Sequence, residues 1–169
     1  MAATSFDPRQ PKIISRNGIP QIVHGSYEDT SESFVAGALV YIDGSGNINE
    51  CVTGLTDVDI AGIAMVDGIS DSSASIAGAH EVPYQAILPG DQIQMQVCNN
   101  SGSLEAANTT CKPGLAYDLK DVSGLHYVNS ADTSKGAFVF VEPILDSNGS
   151  ASYWGRFIVK YTELSLTGG

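Results

Sequence analysis

Between Ile60 and Tyr161 the chain repeatedly alternates apolar and polar residues over short stretches closed by turn signals. The clearest stretch sets Ile93, Met95 and Val97 against Gln92, Gln94 and Gln96. A period of two places successive side chains on opposite faces of an extended strand, one apolar and the other polar but uncharged. Phe157, Val159 and Tyr161 alternate with Arg156, Ile158 and Lys160. No segment from Ser33 onward carries a helical period of ten or more residues; Ser72–Ala79 and Ser103–Asn108 have room for a turn or two.

The other strand-like runs are Phe34–Ile42, Asn47–Val52, Ile60–Val66, Val82–Leu88, Leu115–Leu119, Leu125–Val128 and Ala137–Glu142. Asp43-Gly44-Ser45-Gly46 between the first two reads as a hairpin turn, and Asp67-Gly68 and Pro89-Gly90 close later runs. With 18 glycines and 7 prolines, the expected fold is all-β. It is an antiparallel β-barrel or sandwich of about eight or nine short strands carrying an extended N-terminal arm. Residues 1–32 form the arm and 33–169 the β domain, with no linker-like shift in composition and no fixed-period repeat inside the latter.

Charge separates the two parts. The chain has 8 Lys plus Arg against 19 Asp plus Glu, a net charge of −11. A basic face for nucleic acid is therefore not expected. Arg9, Lys12 and Arg16 stand near the start, whereas no Lys or Arg occurs between Arg16 and Lys112. A short basic arm on an acidic body points to docking on a surface unlike its own. Pro8, Pro11 and Pro20 favour extended chain there, and Phe6, Ile13, Ile14, Ile19, Ile22 and Val23 make the arm too apolar for a solvated linker. The N-terminus shows no basic-then-apolar leader and the longest uncharged apolar run has eight residues, so neither standard secretion nor a membrane partner is expected.

Signs of chemistry are few. Cys51, Cys98 and Cys111 lack CxxC spacing and His24, His80 and His126 are dispersed, so no metal or other cofactor is expected. Cys98 and Cys111 bracket a polar loop that a disulfide between them would close, the alternative being two small thiols in core or loop. Asp57 and Asp59 stand as a pair without the rest of a calcium loop. Neither a G-x-S-x-G elbow nor a phosphate-cradling glycine motif is present, and no enzymatic activity is expected. Tyr153 and Trp154, beside a polar turn, are candidates for facing a glycan, with Tyr84 and Tyr127 as further aromatics.

The segments FVAGALVYIDGSGNI at 34–48 and IAGIA at 60–64 resemble the β-barrel of capsid decoration, or head cement, proteins of tailed bacteriophages. KPGLAYDL at 112–119, GLHYV at 124–128 and GRFIVKY at 155–161 are similar to the closing strands of the same family. The resemblance spans about residues 33–163 through diffuse apolar and glycine patterns. It implies a structural virion protein, made in the host cytoplasm, on the outer surface of an icosahedral capsid. Its partners would be the major capsid protein and its own copies, as a homotrimer or alternatively a dimer. The arm would clamp neighbouring capsomers through Phe6, Arg9, Lys12, Ile13, Ile14, Arg16 and Ile22. The competing expectation is a carbohydrate or host-receptor binding β module on a virion surface.

Overall fold

The computed structural model describes residues 7, 9–15, 23–27, 34–54, 60–68 and 81–160. These residues form eleven strands and one helical turn. Strands β1 (Lys12–Ser15) and β2 (Val23–Tyr27) come from the N-terminal segment. They are followed by β3 (Leu39–Ile42), β4 (Ile48–Glu50), β5 (Ile60–Ala64), β6 (Glu81–Ala86) and β7 (Gln92–Cys98). A single turn α1 (Ala107–Thr110) precedes β8 (Ala116–Val122), β9 (Leu125–Asn129), β10 (Phe138–Pro143) and β11 (Trp154–Val159). All nine strands expected after residue 33 are present, and the architecture is all-β.

Strands β7, β11, β10, β8 and β9 are joined in that order, and a parallel pairing of β9 back to β7 closes them into a barrel. One edge of β7 is shared end to end. Residues 92–94 take β1 antiparallel, while 96–98 take β9. The second unit is a curled antiparallel sheet in the order β2-β6-β5-β3-β4. Local chemistry fixes its hairpins and those of the barrel. The Asp43 carboxylate accepts from the Ser45 and Asn47 amides at 2.8 and 2.9 Å, making the β3–β4 turn that the sequence indicates. Ser123 and Gly124, the two residues between β8 and β9, both have positive φ (55° and 77°), as a tight I′-type hairpin requires.

The alternation in β7 is realised directly. Ile93, Met95 and Val97 fill the barrel with Leu119, Val128, Phe138, Phe140, Phe157 and Val159, and the Phe140 and Phe157 rings lie 5.4 Å apart. Leu39, Ile60, Ile63 and Ile87 of the curled sheet and its connections belong to this same core. The sheet's other side buries Phe34, Val40, Ile48, Ala61, Val82 and Tyr84 in a second cluster. Strand β5 is therefore covered on both faces, and its IAGIA run is buried throughout without a polar alternate.

The arm departs from the expectation of a freely docking extension. Residues 12–15 and 23–27 complete the chain's own two sheets, so no boundary in hydrogen bonding falls at residue 33. Main-chain pairing offers an edge strand the same satisfaction on its own body as on a foreign sheet.

Gly62 shows how tightly β5 and β6 are set: a Cβ there would run into the Gln85 carbonyl oxygen and the Tyr84 ring. Backbone cannot yield as a flexible side-chain tip does, so Gly62→Ala is expected to lower unfolding free energy by roughly 2 kcal/mol or more. Urea unfolding of the variant beside the parent measures it.

Candidate functional site

Residues in cross-strand register share a face, and the outward face of the barrel carries two rows. One runs Lys120, Tyr127, Gln96, Trp154 across β8, β9, β7 and β11. The other runs Lys12, Gln94, Arg156, Glu142 across β1, β7, β11 and β10. Arg156 Nη1 pairs with Glu142 Oε1 at 2.6 Å. Gln96 is 7% exposed, and neither its Oε1 nor Arg156 Nε has a hydrogen-bond partner. Trp154 is half-buried and Tyr127 buried. Burial pushes the Tyr127 phenol up, opposed by the nearby Arg9 charge. Because residues 17–111 contain no Lys or Arg, strands β2 to β7 have no cation, and β1, β8 and β11 supply those of this face.

The arm residues have divided roles. Exposed Arg9 grips Asp7 with Nε and Nη2, at 3.0 and 2.7 Å, and these bonds hold the Asp7 carboxyl down at about 2. Part of the arm's positive charge is thus neutralised locally. Lys12 is half-buried in register with Gln94, while Ile13 faces Ile93 and packs on the barrel core instead of waiting for a partner. Ile14 occupies the register irregularity between Ile13 and Ser15 and is 39% exposed. A cleft of about 200 Å³ opens between β1 and the curled sheet, lined by Pro11, Lys12, Ile13, Ile63, Met65 and Gln85 among others. Phe6, Arg16 and Ile22 lie outside the described residues, as does the Asp57–Asp59 pair.

Tyr153 and Trp154 do not form one patch. Trp154 opens β11 facing Gln96, whereas its predecessor Tyr153, half exposed, donates no register to that face; the aromatic beside Gln96 on its other flank is Tyr127. Tyr84 packs in the second core cluster. Cys98 and Cys111 are free thiols, both buried. Strand alternation sets Cys98 with the glutamine face of β7, whereas Cys111 packs into the barrel core, so of the two alternatives the free thiols are found and the bridge is not formed. Burial pushes both thiols up to about 11.

Two polar residues that sequence reasoning did not single out as functional tie the units together. Gln10 is fully buried, donating through Nε2 to the Gly124 carbonyl at 2.6 Å and accepting from the His126 amide at 3.4 Å. The buried His126 ring accepts the Leu39 amide at Nδ1 (3.1 Å) and donates from Nε2 to the Cys51 carbonyl at 2.7 Å. Only the neutral ring with its proton on Nε2 makes both bonds. Burial pushes the His126 pKa down, with the Cys51 carbonyl and Asp121 acting against it. Among the described residues, Glu50, Asp121 and His126 are grouped closely enough to suggest a metal centre. Both ring nitrogens are already engaged, which leaves no lone pair for an ion. Cys51 is no nucleophile for this histidine: the ring binds its carbonyl, and desolvation drives the thiol well up. No signal in the sequence distinguishes these residues, because their partners are backbone groups distant in the chain.

The chain matches no protein-family model, and no curated protein is significantly similar to it in sequence.

The histidine gives a pH dependence with a defined sign. The unfolded chain takes up its proton at the ordinary value of 6.5, whereas the folded ring resists until lower pH. Its contribution is complete above that value and is lost as pH falls from there through the folded pKa, at up to about 1.4 kcal/mol per pH unit. Thermal unfolding between about pH 7 and about pH 5 should show this loss, and His126→Gln should flatten it while lowering stability at neutral pH. The cysteines offer a second check: Cys51, Cys98 and Cys111 should resist a chromogenic disulfide reagent in the native protein and all titrate as thiols in denaturant.

Proposed function

We propose that the protein is a structural, non-enzymatic virion component. It binds the outer surface of an icosahedral capsid and stabilises contacts between neighbouring capsomers, as its resemblance to tailed-phage decoration proteins implies. The observation that supports this reading is the edge at β1. This strand pairs with β7 on one side, and exposed Ile14 and Met65 stand near a cleft lined by Pro11, Ile13 and Ile63. An extended segment of the major capsid protein laid along such an edge would gain main-chain pairing and apolar contacts at once. A ligand that binds only the closed seam stabilises closure by its binding free energy, and copies held at neighbouring seams as a homotrimer add effective concentration. The acidic curled sheet would then face solvent and keep particles mutually repelling.

A second reading, a carbohydrate or host-receptor module, is favoured by the row that sets Gln96 between Tyr127 and Trp154. Polar hydrogen-bonding groups flanked by rings suit a sugar face better than a capsid seam.

Shells lacking the protein, mixed with it and sedimented, test the first reading. Saturable co-sedimentation and greater heat resistance of the shells are expected. Ile14→Asp should weaken binding roughly tenfold or more, since a charge on the docking edge must be desolvated. Replacing Arg9, Lys12 and Arg16 together by Ala should weaken binding mainly at low salt. Failure of the parent protein to bind shells would remove the cement reading.

A further inference from the structure

The outer barrel face holds two polar atoms in a state that folding alone does not explain. Gln96 Oε1 is a buried acceptor with no donor, and Arg156 Nε a buried donor with no acceptor. Each such group costs about 1–3 kcal/mol if it stays unsatisfied. They sit one register step apart on β7 and β11, since Gln96 pairs with Trp154 and Gln94 with Arg156. Glu142 occupies Nη1 of the same guanidinium and leaves Nε to another acceptor. Trp154 pairs with Gln96 and stands two residues before Arg156 on β11, and Tyr127 flanks Gln96 on β9.

We propose that this face binds a carboxylated saccharide, a sugar bearing a uronate- or sialate-type carboxylate. This inference rests on the carbohydrate reading above and does not depend on shell binding. A ring hydroxyl donates to Gln96 Oε1. The sugar carboxylate accepts from Arg156 Nε–H. The apolar face of the sugar lies on the Trp154 indole. Charge selects among sugars here: on a chain of net charge −11, an anion is repelled elsewhere and is accommodated beside the Arg156 guanidinium. A neutral sugar would find the acceptor and the ring but leave Arg156 Nε without its partner.

Trp154 is the one tryptophan in the chain, so intrinsic fluorescence reports on this face directly. The full-length protein is titrated with sialyllactose, with a glucuronate-containing tetrasaccharide and with lactose as the uncharged control. A saturable change in emission at millimolar or lower concentration is expected from at least one carboxylated probe, and none from lactose. Which of the two carboxylated probes binds distinguishes sialate from uronate. Arg156→Met and Gln96→Leu keep side-chain bulk and should each weaken binding at least roughly tenfold. Arg156 is more exposed than Gln96, so Arg156→Met remains informative should Gln96→Leu fail to fold. The proposal is overturned if neither carboxylated probe binds, if lactose binds as well as they do, or if Arg156→Met binds like the parent. Co-sedimentation of Arg156→Met with shells separates the two readings: retained shell binding with lost sugar binding assigns this face to the saccharide alone.

Discussion

A neutral imidazole joins the barrel to the curled sheet through two buried hydrogen bonds. His126 belongs to β9, yet both of its ring nitrogens bond to backbone at the ends of β3 and β4. Those two groups, the Leu39 amide and the Cys51 carbonyl, lie in the buried interior. Replacing the ring with an apolar side chain would leave a donor and an acceptor unsatisfied together, a larger penalty than the loss of either bond. The continuous core that runs from Phe140 and Phe157 to Ile60 and Ile63 depends on that alignment. The Gln10 side chain extends the connection to the N-terminal segment, from Gly124 in the β8–β9 turn and His126 on β9 to the residues leading into β1.

Much of the fold was legible because strand patterning is local. The Ile93–Met95–Val97 alternation, the Asp43 turn and the buried IAGIA run each become the element their residues specify. The pairing of the arm was not legible, because charge and proline content say that a segment is extended, not which edge it pairs with. Ile13 looked like an anchor for a partner and instead completes the chain's own core. The glutamine face was legible as a polar surface. Its partners were not, since Tyr127 and Trp154 flank Gln96 only through register across separate strands. Likewise, a disulfide is invited by loop length but decided by which side of β7 Cys98 faces.

Charge gives the molecule a polarity that its composition alone hides. The described strands within the long stretch without Lys or Arg, β2 to β7, make up the curled sheet and one stave of the barrel. The strands that border β7 and β9 then restore cations to the barrel's outward face. Function is most economically placed where the field changes sign, because that is where an anionic group meets both attraction and defined geometry.

Strand β7 has one further consequence through the way its edge is divided. Closure of the barrel uses residues 96–98, whereas β1 occupies 92–94. The ring of five strands is therefore complete without the N-terminal segment, and β1 is an added stave, not a hoop. Amide exchange in β1 is set by its own detachment and by the Gln10 side chain, and that in β9 and β11 by opening of the whole barrel. The molecule thus has a hierarchy of stability along a single strand: its first half is held by a removable neighbour, its second by the seam that makes it a barrel.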